Sequence, residues 1–437
     1  MAAQLAPARG RTARDHSLTI LRTLFGSDYL RLFDVRLWNG EVEQARGPKR
    51  FTIVLAAPWA LRKIFSPPIA VNGARALAAG AIDFEGDLEA AIDAVRAAFA
   101  KLRPTAIVPL LREALALPAA PKLAVPQPEA HLRGRRHSIA RDRAAIAYHY
   151  NQPVEFFKTF LDENLVYSCA YWDDGPAAPQ SLSDAQTAKI DHLLRKLRVR
   201  PGYRLLDIGC GYGALAMRAA EVYGAHVLGV TLSSAQKAEA DRRIAERGLS
   251  GRVRIDLRDY RELRDERFDA VVSVGMVEHV GRDHLRAYLR TAYELVRPGG
   301  AFLNHGISAQ LLEGHPRERE TFIERYVFPD GELWPVGTLL ALAEETGFEI
   351  RDVENLREHY ARTLRSWLAN LEANRATATA IAGAAAYRIW RTYMAGSAAA
   401  FAHGDLGLFQ VLFVKPYADG LVSLPPTRRD IYRPAAD

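Results

Sequence analysis

Apolar and polar positions follow two rhythms along this chain. The first 115 residues mix short alternating runs with helical spacing. Leu18, Ile20, Leu21, Leu24 and Phe25 recur at near-helical intervals over residues 16–27. Phe33 to Trp38 alternates as a strand does, and Asn39-Gly40 follows as a turn signal. Phe51 to Leu55 reads as a second strand. Ile69 to Val71, closed by Asn72-Gly73, and Ala81 to Phe84 read as weaker ones. Asp87 is placed to cap a helix from Leu88 to about Leu102. These elements predict a small α+β domain over residues 15–115. Periodicity then lapses. Pro118, Pro121, Pro126 and Pro128, with Arg133, Arg135, Arg136, Arg141 and Arg143, mark residues 116–143 as an exposed Pro/Arg-rich linker. Its basic cluster suits anionic headgroups as well as water.

The second rhythm is regular. A helix from Asp184 to Lys196 leads into an apolar run, Tyr203 to Ile208, and an Ala-rich helix starts at Ala214. Apolar strands and amphipathic helices then alternate: His226–Val230, Ser234–Arg247, Val253–Leu257, Phe268–Val274, Asp283–Val296 and, after Pro298-Gly299-Gly300, Ala301–Ile307. This alternation predicts an α/β fold with a mostly parallel sheet covered by helices on both faces. Gln310 to Leu333 interrupts it, as a lid would. Val336–Thr346, Phe348–Val353, a long helical section from Tyr360 to Ala402 and a strand at Leu408–Val414 complete the domain, taken as residues 144–415. Residues 416–437 read as an irregular tail.

Composition narrows the setting. The 437 residues allow two or three domains, and no apolar run reaches the ~18 residues of a membrane span. Met1 to Asp15 lacks the apolar core of a secretory signal. Two cysteines, Cys169 and Cys210, make no disulfide framework and no CxxC pair, so a reducing, cytoplasmic setting is the simplest expectation. They also lack metal-ligating neighbours, and no metal site is predicted. The net charge of +7 is compatible with an anionic partner or with an ordinary basic surface.

Candidate chemistry concentrates where the first strand of the second domain ends. Asp207-Ile208-Gly209-Cys210-Gly211-Tyr212-Gly213 spells D-x-G-x-G-x-G, whereas a dinucleotide loop reads G-x-G-x-x-G. It resembles motif I of the class I S-adenosylmethionine (SAM) methyltransferases. An ordinary glycine-rich turn is the bland alternative.

Taken with this loop, further segments resemble the cyclopropane-fatty-acyl-phospholipid synthase family from about Tyr148 to Lys415. They are Tyr148-His149-Tyr150, Tyr167-Ser168-Cys169-Ala170-Tyr171-Trp172, Gly229-Val230-Thr231-Leu232-Ser233-Ser234-Ala235-Gln236, Asp259-Tyr260-Arg261, Gly275-Met276-Val277-Glu278-His279-Val280-Gly281, His305-Gly306-Ile307, Tyr326 to Gly331 and His359-Tyr360. Phe84-Glu85-Gly86-Asp87-Leu88 resembles the N-terminal lipid-binding domain of bacterial members. The resemblance implies a Rossmann-like methyltransferase domain. It also implies transfer of a methyl(ene) group from SAM to the cis double bond of an unsaturated phospholipid acyl chain, forming a cyclopropane. It implies bicarbonate as the group that deprotonates the intermediate carbocation, held by Glu278, His305 and Tyr360, with Cys169 and Ile307 acting through backbone groups. SAM would be held by Tyr167, Ser168, Asp207, Gly209, Gly211, Gly213, Thr231, Gln236, Asp259 and Tyr260. Asn304 stands where the family pattern suggests an apolar residue, and Thr231 where other methyltransferases carry a ribose-binding acid.

The chemistry explains such a residue set. An alkene is a weak nucleophile, so the methyl donor must be held close and in line. The resulting cation survives only where water is excluded. Tyr171, Trp172 and Tyr360 are candidate aromatic faces for it. Methyl or methylene branching of the same chain, and small-molecule N-methylation, remain alternatives, as does a lipid-binding protein without activity. Contact would be with membrane phospholipid, peripherally at the inner face; a homodimer is possible on family grounds. No nucleic-acid recognition module is visible, and no nucleic acid is expected.

Overall fold

The computed structural model describes residues 11–26, 32–121, 129–149, 152–173, 181–264, 266–309 and 321–432. Tyr150 and the 310–320 part of the expected lid lie outside them. The chain forms two compact units. The first comprises residues 1–129 with 318–326 and 382–399, and the second the remainder.

In the first unit, β1 (Phe33–Arg36), β2 (Val42–Glu43), β3 (Phe51–Leu55) and β4 (Ile82–Gly86) form a sheet in the order β2-β1-β3-β4. Phe33 pairs with Phe51 across parallel β1 and β3, and their rings stack at 4.8 Å. Helix Ala13–Phe25 starts at Thr12, whose hydroxyl and Asp15 form a reciprocal capping box, and it buries Leu18, Ile20 and Leu21. The expected strand at Ile69–Val71 is instead the start of helix Ile69–Ala78. Its β-branched residues misled; the Pro68 N-cap and the Ala-rich sequence behind it favour a helix. The amide of buried Asn72 donates to Ser66 O and Pro67 O, tying down the helix start rather than making a hairpin turn.

Helix Arg375–His403 breaks at Gly383, whose φ of 84° and ψ of 157° are not helical. The segment after the break supplies Ile389, Trp390 and Met394 as buried residues of the first unit. From it, Arg388 donates to the carbonyls of Leu77 and Ala78 at the end of helix Ile69–Ala78, where a cation suits the helix dipole.

The second unit holds seven strands in the order β10-β11-β9-β8-β5-β6-β7. They are β5 (Arg204–Ile208), β6 (His226–Thr231), β7 (Val253–Leu257), β8 (Phe268–Val274), β9 (Val296–Ala309), β10 (Glu349–Asn355) and β11 (Leu406–Val414). All pairings from β7 to β9 are parallel; β11 runs antiparallel between β9 and β10. Leu205 faces one apolar core with helices Leu182–Lys196, Ala214–Glu221 and Ser234–Glu246, while Leu206 faces the other with Leu285–Leu295 and Val336–Thr346. Burial on both faces explains why these strands read as apolar runs rather than alternating ones. The strand order reverses at β5 and β8, so their carboxyl ends open the crevice in which such sheets bind ligands.

The expected linker is not uniformly exposed. Residues 130–149 belong to the second unit, where Arg141 chelates Asp330 at 2.5 and 2.8 Å and Arg136 joins it at 3.1 Å. From Ile139 the chain is helical to His149.

Candidate active site

At the end of β5 the backbone enters the left-handed region at Gly209, Gly211 and Gly213, with φ of 77°, 53° and 80°. A side chain there would be strained. Gly209 and Cys210 donate their N–H groups to Val230 O at 2.9 and 3.1 Å, clamping the turn onto β6. Gly213 is the N-cap of helix Ala214–Glu221.

A cavity opens in front of this turn. Tyr167, Ser168, Asp207, Gly209, Gly211, Thr231, Gln236, Asp259 and Tyr260 all line it. Gly213 does not; it shapes the loop from behind. Thr231 Oγ1 donates to Gln236 Oε1 at 2.8 Å and accepts from Ser233 N, so this pair is braced from within the loop. The Asp259 carboxylate accepts from the N–H and guanidinium of Arg261, which also reaches Asp142 at 2.8 Å. Tyr167 stacks on the buried His149 ring, 5.5 Å away. Burial pushes the His149 imidazole down to about 3, and Nδ1 pairs with Val327 O at 2.7 Å, so the ring is neutral at ordinary pH.

Two lining residues carry buried charge. Asp207 and Lys189 are each 2% exposed. Lys189 projects from the buried face of helix Leu182–Lys196, and its ammonium donates to Ser168 Oγ at 2.8 Å. Burial pushes Lys189 down to about 8 and Asp207 up to about 7. Sequence reading missed Lys189 because a lysine within an amphipathic helix looks like solvated surface. Its place in the register, beside Gln186 and Ile190, was the available signal.

The second constellation lies where β9 outruns β8. The last β8–β9 pair is Val274 with His305, which leaves the N–H of Ile307 beyond the ladder on that side. Glu278 fills the gap: its Oε1 accepts from Ile307 N at 2.7 Å. Its Oε2 is buried without a hydrogen bond among the described residues, and burial raises the carboxyl to about 7. His305 faces Gln410 across β9 and β11, and Gln410 Nε2 lies 3.2 Å from His305 Nδ1. With that amide donating, Nδ1 is the acceptor and the proton sits on Nε2, which is buried and has no hydrogen bond among the described residues. Cys169 Sγ contacts Leu356 O at 3.9 Å, and Leu356 N donates to Leu408 O, the register partner of Ile307. Tyr360 follows Leu356 by one helical turn and packs its ring on Phe401 at 4.7 Å. Glu278 and Ile307 are therefore joined directly, His305 lies on the same strand as Ile307, and Cys169 and Tyr360 are tied in through Leu356. Gln410, which no local pattern distinguishes, became visible only through the pairing register. Asn304 points to the opposite strand face from His305 and accepts from Tyr288 OH at 2.8 Å, so its polarity is satisfied away from the imidazole.

Of the aromatic candidates, Tyr171 stacks on His359 at 4.8 Å and donates to Glu354, and the Trp172 ring carries the Arg362 guanidinium at 4.2 Å. Neither lines the cavity in front of the Gly209 turn.

Residues 137–411 match the family described as mycolic acid cyclopropane synthetase. A Pseudomonas putida protein named "Probable fatty acid methyltransferase" is 40% identical over 402 residues, covering 91% of this chain and 96% of its own length. The cyclopropane-fatty-acyl-phospholipid synthase of Escherichia coli K12 is 36% identical over 62% of this chain and 68% of its own. Among solved structures, a mycolic acid cyclopropane synthase complexed with SAH and CTAB superposes with a TM-score of 0.58 at 34% identity, covering 62% of this chain and 98% of that one. The motif-bearing loop, the sheet order and these matches agree: the chain belongs to the mycolic acid cyclopropane synthetase family and is a SAM-dependent methyltransferase acting on lipid acyl chains.

Proposed function

We propose that this enzyme adds a methylene bridge from SAM across the cis double bond of an unsaturated phospholipid acyl chain, making a cyclopropane. The observation that carries the reading is two buried polar atoms near the carboxyl end of β9 that make no hydrogen bond among the described residues, Glu278 Oε2 and His305 Nε2. One is an acceptor and the other, as placed, a donor. A small proton-bearing anion satisfies both, and bicarbonate is such a species. It would be held by Glu278, His305, Tyr360 and the backbone at Cys169 and Ile307, and when bound it supplies a base in an otherwise apolar site. SAM fits the cavity of the Gly209 loop, where Thr231 and Gln236 offer polar groups and bound SAM supplies an electrophilic methyl group.

The chain's own work is positional. The Gly209 turn and the Met276–Glu278 turn flank one crevice, so they bring donor and acyl chain together. Burial around Glu278 and His305 keeps out the water that would trap a cation. A carboxyl raised to about 7 can accept or return a proton near neutrality.

Reaching an acyl chain requires contact with a bilayer, and we assign it to helix Pro104–Ala116 of the first unit. Val108 is 73% and Leu115 66% exposed, and Ile107 and Leu111 extend the same apolar stripe. Lys101 and Arg103, just before the helix, and Arg112, on it, are exposed, while Glu113 is paired with Arg11 and His16. An apolar stripe within a basic rim suits an anionic lipid surface.

A second reading, methyl branching of the acyl chain, draws support from the 40% identical fatty acid methyltransferase. Mass spectrometry and proton NMR of fatty acids from expressing cells separate the two. A gain of one CH₂ with upfield ring-methylene signals is the expected result. Two further hydrogens and no ring signal would replace it with saturated branching.

A further inference from the structure

Residues 169–172 form no helix or strand, yet Cys169 and Ala170 are fully buried. Buried irregular backbone needs partners for its N–H groups. Two of them come from helix Arg357–Ala373, the helix that carries Tyr360. Ala170 N donates to Thr363 Oγ1 at 3.1 Å, and Trp172 N donates to His359 Nδ1 at 2.8 Å. The Trp172 indole also donates to Thr363 Oγ1, at 3.0 Å, and that hydroxyl itself donates to His359 O at 2.7 Å. A hydroxyl has one donor and two acceptor sites, so the fully buried Thr363 has committed all three. Alanine would suit a helix interior better than threonine. The hydroxyl's work therefore lies outside its own helix, on the segment it grips. The Cys169 N–H, one residue before this grip, makes no hydrogen bond among the described residues.

The same segment has a second, separate fastening. Ser168 O accepts from Gln186 Nε2 at 2.8 Å, and Tyr171 N donates to Ala185 O at 3.0 Å, both on helix Leu182–Lys196. Ser168, which lines the cavity, is thus held by one helix, and Ala170 and Trp172 by another. We propose that Thr363 is a positioning residue for the anion site: it fixes the backbone at Cys169 relative to Tyr360, three residues before it on its own helix, so that the two close on one small ligand. This rests on the reading that bicarbonate binds there. It adds that the spacing of the site is set by a side chain that does not itself touch the anion, and that this spacing is separable from the cofactor cavity.

Thr363→Val keeps the shape and removes the hydroxyl, leaving Ala170 N and the Trp172 indole without their acceptor. Thermal unfolding of the full chain over a series of sodium bicarbonate concentrations, at constant ionic strength, measures anion binding without turnover. The bicarbonate needed for a given rise in melting temperature should increase roughly tenfold in the variant. Turnover should fall with it, while calorimetric SAM affinity stays within about threefold. Thr363→Ser returns the hydroxyl and should bring bicarbonate binding and turnover back to within about threefold of the unaltered protein. Equal loss of SAM and bicarbonate binding, or no rescue by serine, would make Thr363 a general support and overturn the proposal. Unchanged bicarbonate binding in Thr363→Val overturns it too. Should the valine variant not fold, Trp172→Phe removes one of the same bonds from the other side. It should raise the bicarbonate requirement by about threefold, and no change there refutes the proposal. If bicarbonate neither stabilises nor activates the unaltered protein, the anion reading itself falls, and this proposal with it; a failure confined to the variants leaves that reading standing.

Discussion

Replacing Glu278 with Gln should make the protein more stable and nearly inactive at the same pH. Gln keeps an oxygen to accept from Ile307 N, so the end of β9 stays capped, and only the ionisable proton is lost. In the folded chain burial holds the Glu278 carboxyl at about 7, against an ordinary value of 4.5. Between those values the folded protein keeps a proton that the unfolded chain has released. Folding therefore binds protons, and stability falls as pH rises through this window. A shift of that size corresponds to about 3 kcal/mol at full deprotonation. Below about pH 4.5 both states are protonated and this cost vanishes. The amide introduces an NH₂ that needs a buried partner, which costs about 1 kcal/mol independently of pH. Relative to the parent, Glu278→Gln should thus be slightly less stable near pH 4.5 and more stable by roughly 2 kcal/mol at pH 8. Urea unfolding from pH 4.5 to 8 in bicarbonate-free buffer, followed by a probe in the second unit, measures the difference. Turnover at pH 8 should fall by ~10²–10⁴-fold with SAM affinity little changed. A stability difference that does not vary with pH would refute the buried-carboxyl argument, and full turnover in the variant would refute its role in catalysis.

Other expectations follow from neighbouring geometry. A Cβ on Gly306 would lie 2.4 Å from Val277 Cγ1, so Gly306→Ala should displace the turn carrying Glu278. It should lose about 1–3 kcal/mol in thermal unfolding, and more turnover than SAM affinity. Gln410→Leu removes the partner that fixes the His305 tautomer; turnover should drop by about tenfold or more while calorimetric SAM binding is unchanged. Val108→Asp with Leu115→Asp should reduce co-sedimentation with phosphatidylglycerol vesicles by roughly tenfold per residue, because burying each side chain in lipid contributes about 1.5–3 kcal/mol. Unchanged sedimentation would move the membrane contact to another surface. Point substitutions suit this test better than deleting residues 1–129, which would uncover Ile389, Trp390 and Met394.

The catalytic sheet was legible because its signals are local. A strand buried on both faces reads as an apolar run, and a turn with three positive-φ positions reads as three glycines. Glu278 and His305 carried a local signal, Glu278 just beyond the end of β8 and His305 on β9 opposite the last residue of β8, where short motifs survive. What depended on partners far away in sequence was not. Lys189 looks like any surface lysine until its helix is rotated against Ser168. Gln410 acquires meaning only when β11 is set in register with β9. Arg136 and Arg141 resembled loose basic charge because Asp330, which they grip, lies almost 200 residues on. The misread strand at Ile69–Val71 shows the converse: β-branched residues gave a local signal, and the proline cap and alanine run behind it outweighed that signal.

The break at Gly383 has a consequence for biosynthesis. The first unit includes residues 382–399, so its core lacks a helix until about 270 residues after Glu129 have been made. At typical elongation rates of ~5–20 residues per second, that gap lasts roughly 15–50 s. During that interval the first unit is complete in strands but lacks Ile389, Trp390 and Met394 from its core. The first unit therefore starts before the sheet of the second but cannot be finished until most of that sheet has been made.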